Sequence, residues 1–167
     1  MDLHLKYMFI PHPYEEWNSS KTEKWAEFSL EIVDDRGNVL KSVFEWQWDI
    51  LVFLQWFIDN KDFLFEEKYP IFTNKKSIAF ATHQFYQTLG ENDASEEIID
   101  AVYDYRTRHD LRFALRGTDI KSILLGLKDK AYTVSTYSQN EFWEYEIDLN
   151  KFYLQLEKLH YFLVSGR

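Results

Sequence analysis

The sequence predicts a single α+β domain over residues 1–167, in which an N-terminal hairpin and a C-terminal meander supply antiparallel β-sheet packed with three to four helices. The first observation behind this prediction is apolar content: 46% of the residues are hydrophobic and 19% are aromatic, enough for a buried core in a chain of one-domain length. The second is the order of the predicted elements along the chain: a group of strands, then a group of helices, then a second group of strands and a final helix. That grouping is typical of α+β folds, whereas a parallel α/β sheet needs alternating strands and helices.

The N-terminal third predicts three strands. Apolar and polar residues alternate over 3–10, and two prolines end this segment. Residues 25–33 and 39–46 show the same pattern on either side of the turn-forming residues 34–38. The last two strands are therefore expected to form a hairpin.

Two helices are predicted next, because the apolar period changes to three or four residues. Over 48–60 the apolar stripe consists of Ile50, Phe53, Leu54, Phe57 and Ile58. Asp49 suits the N-terminus of this helix, where the dipole favours a negative charge. The second stripe consists of Ile78, Ala81, Phe85 and Leu89. We expect Thr73 or Asn74 to cap the second helix and Gly90 to end it.

Residues 91–117 allow two interpretations. In the first, Ser95 caps a helix through Tyr103 and a strand follows at 111–116. In the second, 103–117 form a hairpin around 108–110. The helix followed by a strand is the favoured interpretation.

The C-terminal part predicts three meander strands and a helix. The strands are expected at 123–127, 131–137 and 142–149, with polar turns between them. Asn150 is expected to cap the final helix. The core face of this helix would contain Phe152, Tyr153, Leu156, Leu159 and Leu163.

Charge and composition exclude several classes of function. The formal net charge of −9 opposes binding to nucleic acid and to anionic membranes, and it favours a basic protein partner. The chain has no cysteine, which excludes disulfides and Cys-ligated metals and fits a cytoplasmic location. The longest uncharged apolar run, 50–58, is too short to span a membrane.

No motif for catalysis or for a cofactor is present. The five glycines are scattered singly, and no nucleophile elbow occurs. None of the histidines has a metal-site spacing, although His4 and His12 lie at the two ends of one predicted strand. We therefore expect no enzymatic activity, no cofactor and no metal. An enzyme with an unfamiliar acidic site remains an alternative, because carboxylates are abundant.

The clearest charge feature is an acidic helix face. Glu96, Glu97, Asp100 and Asp104 share one side of the predicted helix, in an interval that contains no lysine or arginine. This face is either a solvated surface near a helix N-terminus or a docking site for a basic partner.

Two neighbouring features complete the predicted surface. A cluster of cations follows the acidic face and is expected to neutralise it within the molecule; a phosphate or nucleic-acid site there is the alternative, which the net charge opposes: Arg106, Arg108, Arg112, Arg116 and Lys121. A loop with Glu15, Glu16 and Trp17 combines acids with an aromatic residue, and it is the second candidate for partner binding.

The chain as a whole resembles the immunity proteins of bacterial toxin systems, such as those of contact-dependent growth inhibition. The resemblance lies in overall style and in the segments EWQWDILVFLQWF, LRFALRGTDI with ILLGL, and FWEYEIDLNKFY. It implies a cytoplasmic inhibitor that occludes one cognate toxin domain, in many such systems a basic nuclease. A polyanion mimic that blocks a nucleic-acid-binding protein is a further alternative.

Overall fold

The computed structural model of the protein describes residues 1–14, 22–71, 77–89 and 94–166. Within them, two three-stranded antiparallel sheets and five α-helices form an α+β fold, which confirms the predicted fold class with one helix more than expected. The chain groups into two compact units, the first comprising Met1–Asp59 and Asp148–Arg167 and the second Asn60–Ile147. A single domain over residues 1–167 stays a prediction.

In chain order the elements are β1 (Asp2–Phe9), β2 (Trp25–Val33), β3 (Val39–Asp49), α1 (Ile50–Asp59), α2 (Lys61–Glu66), α3 (Ile78–Thr88), α4 (Glu96–His109), a 3₁₀-helix (Leu111–Phe113), β4 (Leu124–Lys128), β5 (Ala131–Tyr137), β6 (Phe142–Glu146) and α5 (Leu149–Ser165). No helix of the described ranges is long and apolar enough to cross a membrane.

The first unit is a three-stranded sheet with α1 and α5. β2 lies at the centre, and Leu5, Leu30 and Phe44 stand opposite one another across the three strands. Because side chains alternate along a strand, these residues share one buried face. Phe53 of α1 packs on the same layer, and its ring centroid lies 5.8 Å from that of Phe44.

Capping side chains set the starts of α1 and α5. Asp49 Oδ1 accepts a hydrogen bond from the backbone N–H of Leu51 at 3.0 Å, as the sequence predicted for that helix end. The predicted cap at Asn150 is wrong, because Asp148 Oδ1 accepts the backbone N–H of Lys151 at 3.0 Å. The helix therefore begins two residues earlier than expected, at the buried Leu149.

The second unit is the β4–β5–β6 meander with α2, α3 and α4. Ile78, Tyr105 and Leu124 come from three elements and meet in its core. Ser77 caps α3, since its hydroxyl accepts the backbone N–H of Phe80 at 3.0 Å. The residues predicted to bound this helix (Thr73, Asn74 and Gly90) lie outside the described residues.

The strand predicted at 111–116 is wrong, and so is the alternative hairpin at 103–117. α4 continues to His109, and a 3₁₀ turn follows at once. The Asp110 carboxylate accepts the backbone N–H of Arg112 at 3.1 Å, a local bond that competes with strand pairing. The apolar residues of this segment therefore lie in a compact turn, in which Leu111 and Leu115 are completely buried.

Candidate functional site

The predicted acidic face lies on the exposed side of α4. Glu96, Glu97, Asp100 and Asp104 are all exposed, and none of these carboxylates forms an ion pair with another described residue. Three of them recur every fourth residue, which spaces them about 6 Å apart along the helix axis. The helix is thus confirmed, and it presents a continuous row of negative charge to solvent.

An aromatic side chain lies along the edge of this row. Tyr103 follows Asp100 by three residues and precedes Asp104, so it lies on the same helix face. Its side chain is 53% exposed, and its ring meets the edge of Phe113 at a centroid distance of 6.4 Å. We call Glu96, Glu97, Asp100, Tyr103 and Asp104 the α4 face.

No described ion pair joins the α4 face to the arginines that lie in the last turn of α4 or follow that helix, contrary to the sequence prediction. Arg108 Nη2 lies 2.6 Å from Glu67 Oε1, and its Nε donates to Glu67 Oε2 at 2.9 Å. Asp104 contributes only a Coulomb attraction to Arg108, whose pKa is raised chiefly by the hydrogen bond with Glu67. The carboxylates of the α4 face therefore stay available to a partner.

Glu67, Arg108 and His109 form a polar cluster inside the second unit. His109 is fully buried, its Nδ1 lies 2.7 Å from the carbonyl oxygen of Leu125, and its Nε2 lies 3.0 Å from Glu67 Oε2. Its ring also stacks on Tyr105, with centroids 3.7 Å apart and planes within 4°. These contacts join α2, α4 and β4, so the cluster holds three elements together.

The charge state of this cluster follows from its partners. Burial alone would raise the pKa of the Glu67 carboxyl, but hydrogen bonds from Arg108 and His109 lower it from 4.5 to about 2. Since both ring nitrogens are engaged, the cluster supplies structure and offers no free base for proton transfer.

Asp110 organises a second charged cluster in the same unit. Its buried carboxylate accepts hydrogen bonds from Arg112 Nη2 at 2.8 Å and from the Ser122 hydroxyl at 2.7 Å. Arg106 Nη2 approaches it at 3.6 Å. One carboxylate thus pairs with two guanidinium groups.

The remaining predicted site residues lie in the N-terminal part of the chain. Glu15, Glu16 and Trp17, the second candidate for partner binding, lie outside the described residues. His12 donates from Nε2 to Glu23 at 2.7 Å and accepts the backbone N–H of Tyr14 at Nδ1, so both of its nitrogens are used within the first unit. Among the described residues, no group of three potential metal ligands occurs.

Sequence reasoning missed Tyr103, Glu67 and the cluster around Asp110. Tyr103 was detectable, because its spacing from Asp100 places it on the acidic side of the helix. The pairing of Glu67 carries no local signal, since Glu67 and Arg108 lie 41 residues apart in the chain, whereas Arg106 and Arg112 lie within four residues of Asp110.

Comparisons with family models, with curated proteins and with solved structures found no match.

Proposed function

We propose that this protein binds a basic partner protein through the α4 face and inhibits it by occlusion, as an immunity protein does with its toxin. The observation that carries the proposal is the row of exposed carboxylates beside the exposed Tyr103. No covalent step is involved, because inhibition requires only that the active surface of the partner be covered.

Electrostatics supports a basic partner. Four carboxylates on three turns of one helix repel one another, at about 0.2–0.5 kcal/mol for each close pair. A lysine- or arginine-rich surface would remove that repulsion on binding and would be steered to the face during encounter.

In this proposal, Tyr103 supplies the binding free energy that exposed charges do not. Rim charges mainly set the association rate, whereas buried aromatic side chains supply much of the binding free energy. Tyrosine loses few rotamers on burial and keeps a polar hydroxyl, which is why it recurs as an anchor at protein interfaces. An aromatic anchor beside a row of carboxylates is the arrangement expected of a contact surface for a cationic protein.

The immunity role rests on this surface together with the resemblance of the chain to immunity proteins. The partner would then be a toxin domain, and a nuclease is the favoured kind, because nucleases carry basic surfaces for phosphate backbones. The α4 face would compete with nucleic acid for that surface.

The test is rescue of growth from the toxin domain encoded beside this gene. Cells that express the toxin should survive with the wild-type protein, and purified proteins should form a complex measurable by surface plasmon resonance. Tyr103→Ala should weaken that complex about 30-fold, the equivalent of about 2 kcal/mol for an anchor residue. Glu97→Lys with Asp100→Lys should slow association and reduce its dependence on salt.

The matched control is Asp35→Lys with Glu146→Lys, which changes net charge equally at exposed positions that are not part of α4. Thermal melts of all variants verify folding, and the Glu67–Arg108 pair should stay intact in each of them. Equal association rates for the two double variants would refute the α4 face as the docking site. Absence of a toxin gene next to this one would remove the immunity role.

A further inference from the structure

The second unit contains a cleft of about 280 Å³ beside the Asp110 cluster. It lies between α3, the C-terminal half of α4 and the residues that lead into β4. Its lining is mostly polar and includes His83, Tyr86, Gln87, Arg106, Arg112 and Ser122. The cleft shares no residue with the α4 face, so it is a separate feature of the same unit.

The charge of this cleft opposes that of the chain. Two guanidinium groups line it, and no carboxylate is among its lining residues. Among the described residues, the acid that pairs with both guanidinium groups is Asp110, which is buried beside them and balances one of the two positive charges. A protein with a formal net charge of −9 therefore keeps a local cationic cleft.

Two polar groups at the cleft lack hydrogen-bond partners. Arg106 Nε and the Tyr86 hydroxyl are both buried, and neither bonds to another described residue. The Arg106 guanidinium lies over the Tyr86 ring, 4.9 Å from its centroid, which holds it in place without satisfying its donors. Unsatisfied buried donors cost free energy, and an anion bound in the cleft would lower that cost after a small side-chain movement.

We propose that this cleft binds the phosphoryl group of a small phosphate or phosphate monoester. Two guanidinium groups, one amide and two phenols offer donors from several sides. A tetrahedral phosphoryl group with three terminal oxygens can accept hydrogen bonds from several directions. A planar carboxylate, in contrast, matches the two parallel N–H donors of a single guanidinium group. The volume equals that of about nine water molecules, so a phosphoryl group fits together with a small organic fragment.

The experiment is an NMR titration of the full ¹⁵N-labelled chain with inorganic phosphate at constant ionic strength. We expect saturable shifts centred on the residues of the cleft, with a Kd of about 1 mM or below. Phenyl phosphate, titrated in parallel, distinguishes the two sources. Tighter binding of the ester assigns the site to organic phosphates, and equal binding assigns it to free phosphate.

Three variants test the donors. Arg106→Gln should weaken phosphate binding at least about tenfold, and Tyr86→Phe should weaken it about threefold, as expected for a charged and a neutral donor. Arg116→Gln is the matched control, because Arg116 is exposed, rests over Phe113 and does not line the cleft. If Arg106→Gln does not fold, Arg112→Gln takes its place, since the Arg112 side chain is 39% exposed.

Three outcomes would overturn the proposal. One is the absence of saturable shifts up to about 10 mM phosphate, a concentration well above the expected Kd. Another is equal phosphate affinity in the wild type, Arg106→Gln and Tyr86→Phe. The third is acetate binding as tightly as phosphate at the same ionic strength, which would make the cleft a carboxylate site.

Discussion

Replacing Glu67 by glutamine should destabilise the protein by about 3 kcal/mol at neutral pH. The carboxylate is held between Arg108 and His109 and has its pKa lowered from 4.5 to about 2, and each pKa unit corresponds to about 1.4 kcal/mol of preference for the ionised form. The side chain is 24% exposed, so the loss should lie at the lower end of the 3–5 kcal/mol typical of a broken buried pair.

The direction of the pKa shift determines how the stability contributed by Glu67 changes with pH. Because the folded pKa lies below the unfolded value, the contribution of Glu67 is fully present above pH 4.5 and is lost as pH falls towards 2. The glutamine variant cannot titrate at this position. The difference in unfolding free energy between wild type and variant should therefore shrink to about 1 kcal/mol at pH 3.

Urea unfolding followed by tryptophan fluorescence, repeated from pH 7 to pH 3, measures this difference. Glu66→Gln is the matched control, because Glu66 is the preceding residue and is exposed. Its effect should stay within about 0.5 kcal/mol throughout. The reasoning fails if both variants unfold alike at pH 7, or if the Glu67→Gln deficit stays constant across the pH range.

Two further predictions concern packing and capping. Gly126→Ala should cost about 1–3 kcal/mol in urea unfolding, because its Cβ would lie 2.3 Å from the Tyr105 hydroxyl and 3.0 Å from His109 Nδ1. Tyr105→Phe removes a buried hydroxyl that has no hydrogen-bond partner, so by itself it should be neutral or stabilising. Combined with Gly126→Ala, it should reduce the loss of stability that the alanine causes. An equal loss with Tyr105 and with Phe at position 105 would contradict the steric explanation. Asp148→Ala should lower stability by about 1 kcal/mol in thermal melts, while Asp148→Asn keeps an acceptor for the Lys151 N–H; a melting temperature unchanged by alanine would exclude the capping role.

Much of the fold was predictable because the signals are local. The strands β2 and β5 have the predicted bounds, and the hairpin between β2 and β3 forms where turn residues separate two alternating runs. α1 was recognisable from its apolar stripe, whose residues Ile50, Phe53, Leu54 and Phe57 are all buried. These patterns repeat within a few residues, so a short window contains them.

Short or capped elements were predicted less well. α2 has only six residues, too few for a clear period, and the sequence analysis missed it. The segment 111–116 has an alternating pattern, yet the bonds of Asp110 turn it into a 3₁₀-helix. The bond from Arg112 to Asp110 spans only two residues, but hydrophobic alternation does not reveal it.

The sequence by itself determined the α+β class, the formal net charge of −9 and the acidic side of α4, because composition and helical periodicity require no knowledge of distant neighbours. Only the tertiary structure decided which charges are compensated. Glu67 meets Arg108 and His109 from 41 and 42 residues away, and Asp110 meets Ser122 across 12. A buried charge without a partner costs free energy, so the buried or partly buried acids Glu67 and Asp110 pair with arginines in the folded protein. The carboxylates of the α4 face stay exposed to solvent.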